Sequence, residues 1–196
     1  MNRTPRLEDR RERLIQAAAE LFYDHGYERT SVRQLAESVG ILSGSVFHHF
    51  ASKEDILLAV MTTTINAMTK RLRAASTASN NNCERLLGLI RTELELLHGV
   101  TRHGVAVTFF QWHSLGEANQ QHVLALRADY EKIWLDVLGK AHASGSIHTD
   151  PFITRRLLTG ANGWTIYWYQ PGGQLDLDAL AAEIRTLLTG PTNQRR

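Results

Sequence analysis

The 196-residue chain has one cysteine, Cys83, and only four prolines. A single thiol cannot close an internal disulfide, so the expected setting is a reducing one and the expected location cytoplasmic. No apolar run approaches the roughly 18 residues of a membrane span. Arg3, Arg6, Glu8 and Asp9 stand near the start in place of the apolar stretch of a secretion signal. Neither sign of charge dominates: 22 Lys and Arg against 20 Asp and Glu leave +2, so composition alone points to no nucleic-acid partner. Disorder is excluded as well, because 43% of the residues are hydrophobic and 21% charged. A chain of this length buries roughly two thirds of its unfolded surface and needs no metal or disulfide staple.

The prolines stand at Pro5, Pro151, Pro171 and Pro191, which leaves Arg6 to Asp150 free of them and open to long helices. Apolar spacing reads as helix nearly throughout. Leu14, Ala18, Leu21, Phe22 and His25 share one face, with Gly26 as the stop. Val32, Leu35, Ala36 and Val39 make a short second helix, capped by Thr30 or Ser31 and ended by Gly40. Ser43 caps a very short third helix ending near Phe50. Ser52 caps a fourth, Ser52 to Ala75, with Leu57, Met61, Ile65, Met68 and Leu72 as its stripe and Asp55 in a partial capping box. Ser76 to Cys83 reads as a polar loop. A fifth helix carries Leu86, Ile90, Leu94 and Leu97. Gly99 to Gly116 fits a short helix better than a lone strand, which would have no partner. Val123 to Ala141 is a long helix stopped by Gly145. Asp150-Pro151 opens another, with Ile153, Leu157, Ala161, Trp164 and Trp168 as its face, ended by Pro171-Gly172-Gly173. Leu177 to Leu188 is the last. The expectation is an all-α chain of about nine helices: a head over 1–53, a helical bundle over 54–190 and a flexible tail over 191–196.

Val32 to Phe50 reads helix, tight turn, helix, which is the anatomy of a helix-turn-helix offering its second helix to the DNA major groove. Gly40 permits a positive φ at the turn. Ser43, Gly44, Ser45, Phe47, His48 and His49 occupy the second helix; the small residues let the backbone approach base edges, and Ser and His supply hydrogen bonds. A glycine turn between helices also occurs in ordinary hairpins. Neighbouring residues favour the DNA reader: Arg10, Arg11 and Arg13 crowd the first helix, Ser31 and Arg33 stand at one helix start, and Ser52-Lys53 at another, where phosphates bind.

The stretch Thr30 to Leu57, TSVRQLAESVGILSGSVFHHFASKEDIL, resembles the DNA-binding signature of the tetracycline-repressor family of bacterial regulators, and the first helix is similar too. The resemblance covers about the first 57 residues. It implies a DNA-reading head joined to an effector-binding and dimerising helical domain, usually in repressors that a small ligand releases from the operator. By this resemblance Ser31, Arg33, Gln34, Ser45, Phe47, His48 and Lys53 fall where the family touches DNA, Ser45 and His48 toward bases, Lys53 and Ser31 toward phosphate. Phe47 departs from the usual Tyr and lacks its phosphate-binding hydroxyl. Leu42 either touches a thymine methyl or simply completes the turn.

All four tryptophans lie in the second half of the chain. Phe109, Phe110, Trp112, Tyr130, Trp134, Trp164 and Trp168 suit either core packing or the apolar lining of a ligand pocket. WTIYWYQPGG (Trp164 to Gly173) and YEKIWLDVL (Tyr130 to Leu138) resemble the family subgroup that senses acyl-coenzyme A thioesters in fatty-acid and sterol-ring degradation, which implies a long, partly acyl effector. The Arg expected one turn before the Trp region in sterol-ring repressors is here Thr159. Arg127, Arg155 and Arg156 are candidates for an anionic head group or members of a solvated face. The last two helices carry stripes wide enough to pack twice, as in a four-helix dimer interface, and one head covers only half of a palindrome with half-sites about 34–36 Å apart. A homodimer on double-stranded operator DNA is therefore expected.

Rival functions find little support in the residues. The nine histidines give no i, i+4 pair with a carboxylate partner, so no metal is expected. Cys83 has no cluster beyond Arg85 to lower its pKa and is no redox switch. No Gly-rich phosphate loop, apolar carboxylate pair or nucleophile elbow marks an enzyme, and no cofactor is expected. The alternatives left are a regulator responding to a lipophilic xenobiotic and, more remotely, a helical enzyme or a protein-interaction module.

Overall fold

Periodic apolar residues and caps build helices over almost the whole chain, and a computed structural model of the protein describes residues 4–190, with side chains from 10 onward. Arg3, the Arg6 side chain and the expected tail over 191–196 lie outside the described residues. Among those residues there are nine α-helices and no strand. They run α1 (Thr4–His25), α2 (Val32–Ser38), α3 (Ser43–Val46), α4 (Lys53–Thr77), α5 (Asn82–His98), α6 (Arg102–Phe110), α7 (Glu117–Ala143), α8 (Pro151–Trp168) and α9 (Leu177–Thr189), with a 3-10 turn at Trp112–Ser114.

The helices form two units. The first contains residues up to Asn66 together with Thr101–Leu126. Its core joins Leu14, Ala18 and Phe22 of α1, Leu35 and Ala36 of α2, Val46, Phe50, and Ile56, Leu57, Val60 and Met61 of α4 to Val107, Leu115 and Val123. Burying each of the larger side chains contributes roughly 1.5–3 kcal/mol. The boundary expected at residue 53 falls inside this core, because Ile56 and Leu57 are fully buried in it. The second unit contains Ala67–Val100 and the residues from Arg127 on. There α5 packs on α8 and α9, and Leu86, Leu89, Ile90, Leu94, Trp134, Leu138 and Ala181 are buried.

The caps are local and legible. Ser31 caps α2 in a reciprocal box with Gln34, and the Ser52 hydroxyl accepts the Asp55 N–H at 3.0 Å. Asp150, with Pro151 in the first turn, caps α8, and Asp176 caps α9. Two expectations need correction. Ser43 is not a cap: Leu42 holds that position without a side-chain bond, and α3 closes after Val46, whose carbonyl accepts the Phe50 N–H at 3.0 Å. The loop over Ser76–Cys83 shrinks to residues 78–81. Ser76 and Thr77 return their hydroxyls to the Arg73 carbonyl, and Asn81 starts α5 by accepting the Cys83 and Glu84 N–H groups. The apolar face of α8 points outward: Ile153, Leu157, Ala161, Trp164 and Trp168 are exposed, whereas Thr154, Arg155, Leu158, Asn162 and Thr165 are buried.

Candidate nucleic-acid interface and buried polar cluster

The reading turn is held by two apolar pins. Val46 and Phe50 are buried, while Leu42, Ser43, Gly44, Phe47 and His48 between and beside them are exposed and Ser45 and His49 half-buried. Gly40, at φ +71°, reverses the chain ahead of it; an L side chain rarely adopts that conformation. Its N–H reaches the Glu37 carbonyl at 3.1 Å and the Ile41 N–H the Ala36 carbonyl at 3.0 Å, which ends α2. Leu42, at the turn, is 80% exposed.

Around this turn the basic residues have distinct neighbours. Arg33 pairs with Glu37 at 2.7 Å on an exposed face, where water screens the pair and it yields readily. Arg11 lies over the Phe50 ring at 5.0 Å, and Arg13 reaches the Val39 carbonyl at 3.4 Å. Ser31 and Gln34 satisfy one another, their side chains and backbone closing the α2 cap.

Lys53, expected at phosphate, has its partners inside the head. Its ammonium donates to the carbonyls of Tyr27 at 3.0 Å, Thr30 at 3.2 Å and Glu28 at 3.4 Å, and lies 4.2 Å from the Tyr27 ring centre. An ammonium has three protons, and all three have acceptors. Lys53 therefore closes the α1–α2 turn rather than standing free for a phosphate. Burial, then Glu54 and its acidic neighbours, push the Tyr27 phenol up from its ordinary pKa, which keeps that ring neutral beneath the cation.

The expected effector residues fall into separate settings. Phe109 and Phe110 are exposed at the end of α6, and the half-buried Trp112 donates its indole N–H to His113 at 2.8 Å. Tyr130 and Trp134 are core residues of the second unit, and Arg127 beside them in sequence is half-buried. Trp164 and Trp168 stand outside on α8, at 64% and 48% exposure.

Arg155 belongs to no solvated face. Only 2% exposed, it donates to Glu93 at 3.0 and 3.3 Å and to Glu131 at 3.0 and 3.1 Å, with its guanidinium 4.5 Å from the Trp134 ring centre. Burial opposes its charge, yet Glu93 and Glu131 outweigh that cost and raise its pKa. The Tyr130 hydroxyl and the Asn162 amide also donate to Glu93. Burial, reinforced by Glu93, holds the Tyr130 phenol well above its ordinary value, so it remains a donor. This cluster ties α5, α7 and α8 together. Its signal was visible in the spacing Leu86, Ile90, Glu93, Leu97, which puts a carboxylate on the buried stripe of α5. Among the described residues no group of three or more His, Cys, Asp or Glu side chains is placed to hold a metal, and no helix there is long and apolar enough to cross a membrane.

A short capped helix, a glycine turn and an outward polar stub on apolar pins define a helix-turn-helix regulator rather than an enzyme. The chain belongs to the tetracycline-repressor family: residues 14–60 match the model for bacterial regulatory proteins of the tetR family, and residues 79–190 match the tetracyclin repressor-like C-terminal domain. It is a ligand-responsive, DNA-binding regulator of transcription. The HTH-type transcriptional repressor KstR2 of Mycolicibacterium smegmatis is 30% identical over 189 residues, covering 94% of this chain and 91% of the relative. A solved structure described as superantigen PfiT is 49% identical, with a TM-score of 0.81 over 92% of this chain and 96% of that one. AibR in complex with isovaleryl coenzyme A and operator DNA shares the fold, at 24% identity and a TM-score of 0.82 over 93% of this chain and 99% of that one.

Proposed function

We propose that the chain is a cytoplasmic repressor that binds a palindromic operator as a homodimer and is released by a hydrophobic effector, an acyl-coenzyme A thioester. The observation that carries the DNA reading is the exposed turn over Leu42–His49, seated on buried Val46 and Phe50. Ser45 and His48 are assigned to base edges, and Arg33 to phosphate once it leaves Glu37. The homodimer is supported by the outward face of α8, where Leu157, Trp164 and Tyr167 are each more than 60% exposed. Contiguous apolar surface of that kind is normally covered by a partner. The acyl thioester is supported by the likeness of WTIYWYQPGG to the acyl-sensing subgroup, and the repressor role by the KstR2 relative, itself a repressor.

Release requires the effector to favour a conformation whose heads do not match the operator; a coupling of about 1–3 kcal/mol lowers operator affinity roughly 5- to 150-fold. Fluorescence anisotropy on operator DNA tests this with a panel of acyl-CoAs from isovaleryl to palmitoyl. Release by part of the panel is expected, and no release at any chain length refutes the thioester. Ser45→Leu is expected to lose operator discrimination while keeping the fold; if it unfolds the protein, Ser45 belongs to the core and not to the readout.

A further inference from the structure

Three consecutive residues at the start of α4 have three different duties. Ser52 caps the helix. Lys53 grips the α1–α2 turn through the carbonyls of Tyr27, Glu28 and Thr30. Glu54 takes a third direction: its Oε1 accepts the Gly116 N–H at 2.8 Å and the Asn119 side-chain amide at 2.7 Å, at the turn that opens α7. Gly116 is fitted to this contact, since a Cβ there would stand 3.3 Å from the same oxygen. The Asn119 bond, followed by the Gly116 N–H, lowers the Glu54 pKa, so the acceptor is a carboxylate at neutral pH.

We infer that Glu54 is a positioning residue for operator recognition: paired with Lys53, it fixes the start of α4 between the α1–α2 turn and the α7 start, and so holds the reading turn in one attitude. This rests on the DNA-reading function proposed above. The geometry is what makes the pair act together. Lys53 and Glu54 share one rigid helical turn, so a shift of the α7 start that drags Glu54 must also drag Lys53. Lys53 in turn holds the carbonyl of Thr30, the residue before the Ser31 cap of α2. The α2 start and the Gly40 turn behind it then move with the α7 start. Charge alone does not explain the arrangement, because among the described residues neither side chain forms an ion pair; their partners are backbone and amide groups.

Glu54→Ala, Glu54→Gln and Asn119→Ala in the full-length protein test this, with thermal melts to show that each is folded. The first readout needs no DNA: amide hydrogen exchange. Glu54→Ala is expected to speed exchange about tenfold or more both at Gly116 and across Tyr27–Ser31, although the Glu54 hydrogen bonds go to Gly116 and Asn119. Unchanged exchange at Tyr27–Ser31 in a folded variant overturns the inference. The second readout is the ratio of operator to random-DNA affinity, with an expected fall of about tenfold at an unchanged salt slope. Glu54→Gln keeps an accepting oxygen and is expected to recover most of the ratio, with Asn119→Ala intermediate. A wild-type ratio in Glu54→Ala refutes the positioning role. If wild-type protein itself shows no operator preference, the DNA function has failed, and the exchange result still decides the junction.

Discussion

The reading head and the bundle helix α8 arrange polarity in opposite ways. In the head, apolar Val46 and Phe50 face in, and Ser43, Gly44 and His48 face out beside exposed Leu42 and Phe47. In α8, Arg155, Asn162 and Thr165 face in, while Leu157, Trp164 and Tyr167 face out. A polar outer surface suits hydrated DNA, which is held by hydrogen bonds and charge. An apolar outer surface is costly in water and suits a partner that will cover it. The inner face of α8 uses ion pairs and amides because every charge there has a stated counterpart, the condition under which buried charge is tolerated.

The comparison breaks most sharply at Arg155. Arg155→Ala leaves Glu93 and Glu131 uncompensated and is expected to destabilise the protein by about 3–5 kcal/mol in denaturant titrations. Arg155→Met combined with Glu93→Leu removes one of the two stranded carboxylates and is expected to be less harmful than Arg155→Ala, which would show that pairing, not bulk, is what matters there. Next comes the outer face. Trp164→Glu is expected to weaken self-association by about 2–4 kcal/mol in sedimentation while leaving the melt of the monomer almost unchanged. If the monomer unfolds instead, Trp164 belongs to the core and the contrast with the head disappears.

Smaller effects sharpen the picture of the head and of α5. Lys53→Ala is expected to cost about 1.5–3 kcal/mol of stability, the range for hydrogen bonds to a charged group, with the salt slope of DNA binding unchanged. A slope lower by about 1 would return Lys53 to the phosphate contacts. His98 should have the smallest effect. The Thr165 hydroxyl donates to the Asn162 carbonyl at 2.5 Å, so His98 Nε2, 2.7 Å from that hydroxyl, must donate to it and Nδ1 is left without the proton. Burial lowers the His98 pKa, so the folded state prefers the neutral ring. The unfolded chain then binds the extra proton first. His98 accordingly stabilises fully above its unfolded pKa of about 6.5 and progressively less as pH falls toward the folded one. Melting temperatures between pH 7.5 and 5 should fall more for wild type than for His98→Gln.

Local signals were enough for most of the helices. Ser31 and Ser52 were recognisable caps, Gly26, Gly40 and Gly145 recognisable stops, and the stretch from Gly99 to Gly116 proved helical, as the lack of any partner strand implied. Caps and stops act within one turn, so neighbouring residues specify them. The short helix of the stub over Leu42–His49 was equally legible, whereas the burial of Val46 and Phe50 in preference to exposed Leu42 and Phe47 was not.

What sequence order could not reveal was which of two faces of α8 turns inward, because both have reason to be covered: one by Glu93 and Glu131 from other helices, the other by a partner. Periodicity ranks faces by hydrophobicity and so named the outer one and missed the polar inner one. Lys53 likewise reads as a free cation until the carbonyls of residues 27–30 are brought to it, and Glu54 as a surface charge until Gly116 and Asn119 arrive from 62 and 65 residues away. Helix, cap and turn are decided by neighbours along the chain, so residue order alone determined them. The partner of a long charged side chain is decided by which distant backbone and amide groups packing delivers within about 3 Å, and only the tertiary structure determines that.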